Sequence, residues 1–317
     1  MLFLAGLMGL VAVGAAAFVD ISPEGDEDDD SFSDDANGTN GLILSGGTGA
    51  DLLSGGDGYD QIGGNEGDDL IAGHGGDDYA RGDAGDDTVN GGAGNDDLHG
   101  NDGGDLIEGG GDDDNLTGHN GNDTLHGGIG NDSLMGSEGE DVLFGDDGDD
   151  TLLGGLDDDT LTGGQGADAL FGGWGDDLII GVEDDADVDG ITDEDTGDFL
   201  NGGGGDDTIV AGLNDVVTAG DGADNIIIGD WITDGNAPMI EDFEPEDDSL
   251  LLVWDDRGVG DEEPEVSVDP DPEQLDQTLV RMNGVIVASV KSADVLTAAD
   301  VSIIPLSSAI AAGLALS

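Results

Sequence analysis

An aspartate returns at every ninth residue along one unbroken stretch of the chain, from Asp51, Asp60 and Asp69 through to Asp177. Starting at Gly46, the sequence divides without a gap into fifteen nonapeptides that end at Ile180. The first position is Gly and the sixth is Asp in all fifteen. The eighth is Leu, Ile or Val in every unit except the one that carries Ala80, and the fourth is Gly except at Asp112 and Asp157. Composition alone does not hold phase over such a length, so each unit must make the same structural move.

Each unit reads as a six-residue turn followed by a three-residue strand whose middle side chain points inward. One inward aliphatic residue per unit buries too little apolar surface to fold alone, so the units must stack into an all-β solenoid. The second position holds eight Gly and otherwise Asn65, Asn101, Asp83, Asp146, His74, His119 and Ser137. Apart from the Ser, these residues are enriched at positive φ, which predicts a left-handed backbone there. His74 and His119 are then turn residues, while His99 and His126, at position nine, point outward. None of the four histidines reads as a metal ligand.

Stacked turns bring the position-six carboxylates of neighbouring layers together. These are Asp51, Asp60, Asp69, Asp78, Asp87, Asp96, Asp105, Asp114, Asp123, Asp132, Asp141, Asp150, Asp159, Asp168 and Asp177. Ligands that mix carboxylate with exposed turn carbonyls suit a hard cation, and a flexible cage favours Ca²⁺ over Mg²⁺. A merely acidic, solvated surface would not keep Asp at position six while position five varies among Asp, Asn, Ala, Tyr, Gly and Glu. The charge balance makes the same demand. With 77 acidic residues against 4 Lys and Arg, the formal charge of -73 opposes any compact state. Either the chain is disordered or cations neutralise the fold. Nucleic acid is excluded as a partner for want of a basic patch. Cysteine is absent, which removes disulfides, thiolate sites and a cysteine nucleophile.

The units GGAGNDDLH, GGIGNDSLM and GGQGADALF fit the pattern GGxGxDxUx without exception. The chain thereby resembles the hemolysin-type calcium-binding repeat (RTX) family. The resemblance implies a parallel β-roll with two nonapeptides per coil and Ca²⁺ between turns stacked on the same side. Its ligands would be position-six Asp carboxylates and turn carbonyls. Pairing each turn with the one two repeats on implies about thirteen ions for fifteen repeats. Asp96 would share an ion with a turn around Asp78 or Asp114, and not with Asp105, which falls on the opposite edge. The resemblance extends over 46–228. After an insertion at 181–192 the pattern resumes with Asp198 and Asp207, runs one residue short around Asp215, and ends with Asp224.

The insertion contains DADVDGITD, which places Asp185, Asp187, Asp189 and Asp193 at positions 1, 3, 5 and 9 of an EF-hand-like loop. Thr196 stands where the bidentate Glu would close such a loop, and no amphipathic helix flanks it. Both a helix-free calcium loop and a plain acidic loop remain open. Residues 1–19 are uncharged and apolar, long enough as a helix to span a bilayer, and read as a membrane anchor or a signal segment. Residues 20–45 read as an acidic disordered linker. From 229 to 317 the glycine period stops and a β-rich C-terminal cap is expected, with Asn283-Gly284 as a hairpin turn. This segment also resembles the C-terminal flank that directs type I export in secreted members of the family.

No H-E-x-x-H, no G-x-S-x-G elbow and no Walker lysine occurs, and 229–317 is short for a catalytic domain. The expectation is a secreted, non-enzymatic calcium-binding roll. Two alternatives stay open: a membrane-anchored adhesive or structural stalk, with a protein or glycan partner, and an RTX-linked enzyme with an unrecognised site.

Overall fold

The computed structural model describes residues 41–182, 197–229, 231–232, 236–256, 263–274, 276–292 and 295–311. The apolar N-terminus, the acidic tract up to residue 40 and the DADVDGITD loop lie outside these residues. Among the described residues there are 26 strands, β1 to β26, and one short helix, α1 (Leu306–Ala311). None of the described helices is long and apolar enough to cross a membrane.

From β1 to β22 successive strands alternate between two sheets, so strand n pairs with strand n+2. The pairing is parallel throughout the repeat. In one sheet β7 (Asp97–Asp102) aligns with β9 (Asn115–Asn120), and Leu98 lies opposite Leu116. In the other, β8 (Leu106–Gly111) aligns with β10 (Thr124–Ile129), and Ile107 lies opposite Leu125. One coil is therefore eighteen residues, two nonapeptides.

The turn is shorter than the sequence suggests. Most repeat strands span six residues, positions seven to nine of one unit and one to three of the next, as in β7. Only positions four to six remain for the corner. Turn residues join the ladders because identical turns stack in register and can hydrogen-bond layer to layer as strands do. The ladder skips one residue, the position-one Gly, where the strand bends: His126 pairs Phe144 and Gly128 pairs Asp146, with Gly127 between.

The positive φ expected at position two is present, from Asp146 (71°) to Ser137 (99°) among its non-glycine residues. Position four shares it. Gly103 has φ 141°, and the two departures from Gly, Asp112 and Asp157, adopt 75° and 72°. Asp tolerates this region better than most L residues, which explains why it is the substitute.

The core of the repeat is two facing files, one from each sheet. Position-eight side chains from Ile62 to Ile179 are 0–2 % exposed and form one apolar cluster, with Ala80 the smallest member. Each strand offers two inward positions, eight and one, and position one is always Gly in the uninterrupted repeat, so the aliphatic files carry the packing. Leu116→Ala should cost about 2–5 kcal/mol, against less than about 0.5 kcal/mol for the outward Thr117→Ala. Denaturant unfolding of both variants under folding conditions checks this.

Beyond the glycine repeat both sheets continue. β21 (Met239–Phe243) extends the 14-stranded sheet, and β22 (Ser249–Trp254) and β26 (Val301–Pro305) extend the 12-stranded one, all in parallel. β23 (Val266–Pro270), β24 (Gln277–Met282) and β25 (Val285–Ser292) close the longer sheet with antiparallel pairing. Asn283 and Gly284, both at positive φ (53° and 86°), form the hairpin that the sequence announces.

Candidate metal centres

The position-six aspartates are assembled into two ladders, one along each edge. Along one edge the backbone N–H of Asp51 donates to Asp69 Oδ1, that of Asp69 to Asp87, and so on through Asp105, Asp123, Asp141, Asp159 and Asp177. The series then runs to Asp207, Asp224 and Asp248. Along the other edge it begins with Leu42 N–H on Asp60 and passes through Asp78, Asp96, Asp114, Asp132, Asp150, Asp168, Asp198 and Asp215. Asp96 thus touches Asp78 and Asp114, eighteen residues away on either side, while Asp105 stands in the other ladder.

Each aspartate is fixed by three bonds. Asp78 accepts from Asp60 N–H through Oδ1, donates its own N–H to Asp96, and accepts Asp97 N–H on its carbonyl, at 2.7, 2.7 and 2.8 Å. Its second carboxylate oxygen has no such partner. The same holds for Oδ2 of Asp69, Asp87, Asp96, Asp105, Asp114, Asp123, Asp132, Asp141, Asp150, Asp159, Asp168, Asp177, Asp207 and Asp224. These side chains are 0–3 % exposed. A buried anionic oxygen without a partner is strongly unfavourable, and a whole row of them calls for a common counter-charge.

The invariant position-one Gly shows where these oxygens point. A Cβ on Gly73 would lie 2.6 Å from the Gly91 carbonyl oxygen and closer still to Asp78 Oδ2. On Gly109 it would collide with Asp114 Oδ2 and the Gly127 carbonyl, at 2.5 and 2.6 Å. The missing side chain therefore leaves a small cradle between a carboxylate oxygen and a carbonyl oxygen of the next layer. Two electron-rich oxygens facing one space fit a hard cation such as Ca²⁺. No three His, Cys, Asp or Glu side chains converge on one point among the described residues, so backbone carbonyls must complete any such ligand set.

Electrostatics record the same unmet need. Burial, partly offset by the backbone N–H bond, raises the Asp159 carboxyl to about 8 and those of Asp78, Asp105, Asp114, Asp141 and Asp150 to about 7. Neighbouring carboxylates push in the same direction.

Position five forms a second, exposed ladder running the opposite way. Here the side chain of one layer accepts from the N–H of the next, as when Asp113 Oδ1 receives Asn131 N–H and Asp77 receives Asn95 N–H. Asp or Asn can do this and neighbouring layers tolerate its absence, so the position varies.

Of the residues singled out in the sequence, Asp51 to Asp177, Asp198, Asp207 and Asp224 all stand in the ladders. Asp185, Asp187, Asp189 and Asp193 lie outside the described residues. The sequence reading names Asp215 only as the place where a unit runs short, and it leaves out Asp248 and Asp242. Asp215 accepts Asp198 N–H in the short unit, and Asp248 accepts Asp224 N–H after the glycines have ended. The available signal was an Asp two residues before a buried aliphatic, Val217 and Leu250, which outlasts the glycine period. Asp242 has no such mark; its carboxylate receives the N–H groups of Ala219 and Gly220.

Compared with known families, residues 45–80, 63–98, 73–107, 99–134, 126–161, 153–185 and 192–213 match the family model of the RTX calcium-binding nonapeptide repeat. Together the matches cover more than half of the chain. No curated protein matches it.

Proposed function

The chain belongs to the RTX calcium-binding nonapeptide repeat family, and from that premise we propose that it is a secreted, non-enzymatic protein whose roll is assembled by Ca²⁺. The observation that carries this reading is the row of buried, partnerless Asp Oδ2 atoms along both edges. Bound Ca²⁺ would supply the positive charge that those edges lack. The residues that would hold it are the position-six aspartates and the position-one carbonyls beside them, such as Asp78 with Gly91 and Asp114 with Gly127.

The remainder of the mechanism belongs to the chain. Position-one glycines keep the cradle open, and the ladder N–H groups hold each carboxylate in one orientation. The aliphatic files set the spacing of the layers. Because the cradle exists only when layers are stacked, ions that bind it add their binding free energy to folding. In a calcium-poor cytoplasm the self-repulsion of a -73 chain prevails, which suits export before folding.

Far-UV circular dichroism during Ca²⁺ titration tests this. A cooperative gain of β signal by millimolar Ca²⁺ is expected, with Mg²⁺ far less effective because it demands stricter geometry and dehydrates reluctantly. A flat trace would reject ion-driven folding, and equal potency of Mg²⁺ would reject selectivity alone.

A further inference from the structure

The outer face of the 14-stranded sheet carries a group of side chains that the aspartate ladders do not use. His99 stands at position nine on β7 and His119 at position two on β9, one layer along and diagonally across. Their rings stack with centroids 5.3 Å apart and planes 22° apart, and His99 Nδ1 lies 3.1 Å from His119 Nε2. Asp97 Oδ1 lies 3.2 Å from His99 Nε2, and Tyr79 packs against the same imidazole at 5.5 Å. An ionised carboxylate only accepts, so Asp97 favours the tautomer with the proton on Nε2, in which the Nδ1 lone pair of His99 faces His119. That carboxylate–imidazole contact is the arrangement that orients metal-ligating histidines. On the far side of His119 an open pocket of about 320 Å³ is lined by Asn101, Asp102, Asn120, Ser137 and Glu138.

We propose that His99 Nδ1 and His119 Nε2 chelate one borderline transition-metal ion of the Zn²⁺ or Cu²⁺ class, at a site separate from the all-oxygen edges. Two metal–nitrogen bonds of about 2.0–2.1 Å at a tetrahedral angle set their nitrogens about 3.3 Å apart, close to the observed separation. Chelation requires each ring to turn from the present nitrogen-to-nitrogen contact until both lone pairs meet at one point. No third His, Cys, Asp or Glu converges with the pair among the described residues, so water would fill the remaining coordination positions. Burial and then the neighbouring His99 lower the proton affinity of His119, which leaves it neutral and able to ligate at neutral pH. Imidazole nitrogen selects Zn²⁺ or Cu²⁺, while Ca²⁺ takes oxygen, so abundant calcium would not displace the ion.

The same diagonal from position nine to position two recurs elsewhere with other partners. Ser54 meets His74 at 2.9 Å, and His126 meets Asp146 at 3.4 Å while stacking on Phe144. Only at 99 and 119 are both members imidazoles among the described residues. His126 therefore serves as an internal control.

The test uses the full chain in excess Ca²⁺. Zn²⁺ is titrated in competition with a chromogenic chelator, and Cu²⁺ is followed by electron paramagnetic resonance. One ion per chain that resists Ca²⁺ is expected, with nitrogen hyperfine structure on the Cu²⁺ signal. His119→Asn should weaken it at least tenfold and His126→Ala should leave it unchanged. Asn already occupies position two at Asn101, with φ 86° against 83° for His119, so the backbone has no reason to change. His99→Thr, matching Thr117 and Thr162 at position nine, gives a second loss-of-ligand variant if circular dichroism shows that the first misfolds. Wild-type binding retained in both variants, or a Cu²⁺ signal from oxygen ligands alone, would overturn the proposal and leave a directly hydrogen-bonded imidazole pair.

Discussion

Stripped of divalent cations, the chain will gain β signal as the pH is lowered from 8 to 4. Acid usually unfolds proteins, so the reversed direction is diagnostic. Burial raises the carboxyls of Asp69, Asp96, Asp123, Asp168, Asp177, Asp207 and Asp224 to about 6, and that of Asp159 to about 8, from an ordinary 3.8. An acid whose pKa is higher in the folded state takes up its proton more readily there. The stabilisation is fully present below pH 3.8 and is lost as the pH rises through 6 to 8. A proton on Asp78 Oδ2 also turns an acceptor into a donor beside the Gly91 carbonyl, so it fills the role of the missing counter-charge. With Ca²⁺ present the dependence inverts, since ligating carboxylates must be ionised and protons then compete with the ion. Circular dichroism against pH, in chelator and in millimolar Ca²⁺, should give two curves of opposite slope. Parallel curves would mean that the ladder carboxylates do not govern folding.

The second large effect is a change of sign at one residue. Asp114→Asn keeps an Oδ1 that can accept Asp96 N–H but removes the negative charge from the cradle beside Gly109. Without Ca²⁺ the substitution should favour folding, because a buried uncompensated anion has gone. With Ca²⁺ it should oppose folding and raise the midpoint of the titration on the order of tenfold, as expected from roughly 1–3 kcal/mol for losing a charged ligand. Asp113→Asn, one residue away on the exposed ladder, should do neither, because an amide oxygen can still accept Asn131 N–H. Equal behaviour of the two variants would remove the distinction between position six and position five.

The repeat made the architecture legible because period, inward aliphatic and invariant Asp all point to one stacked arrangement. Positive φ at position two could be read from Asn65, His74 and Asp83, residues that tolerate it. The extent of the strands could not. Nothing local marks positions one to three as strand; they become so only because the layer below repeats them. The reason for Gly at position one was equally hidden, since it lies in a carboxylate five residues on and a carbonyl in the next layer. Asp248 escaped notice because 24 residues and a Pro turn separate it from its partner, while only the Asp-x-aliphatic mark persists. The antiparallel return of β23, β24 and β25 was legible only at Asn283-Gly284, where two consecutive residues at positive φ declare a turn by themselves.

Neighbouring rungs of the ladders are 18 residues apart in most of the roll, 30 across the insertion and 17 in the short unit. The bond that joins them is 2.7 or 2.8 Å in all three cases. Distance along this molecule is thus measured in layers, and the amount of chain between layers is a free variable at the edge. An edge corner is accordingly a port: sequence can be added between Val182 and Gly197, or by analogy at any other corner, without resetting the register of the layers beyond it. A protein built this way can acquire new surface by insertion while keeping one unaltered backbone of charge.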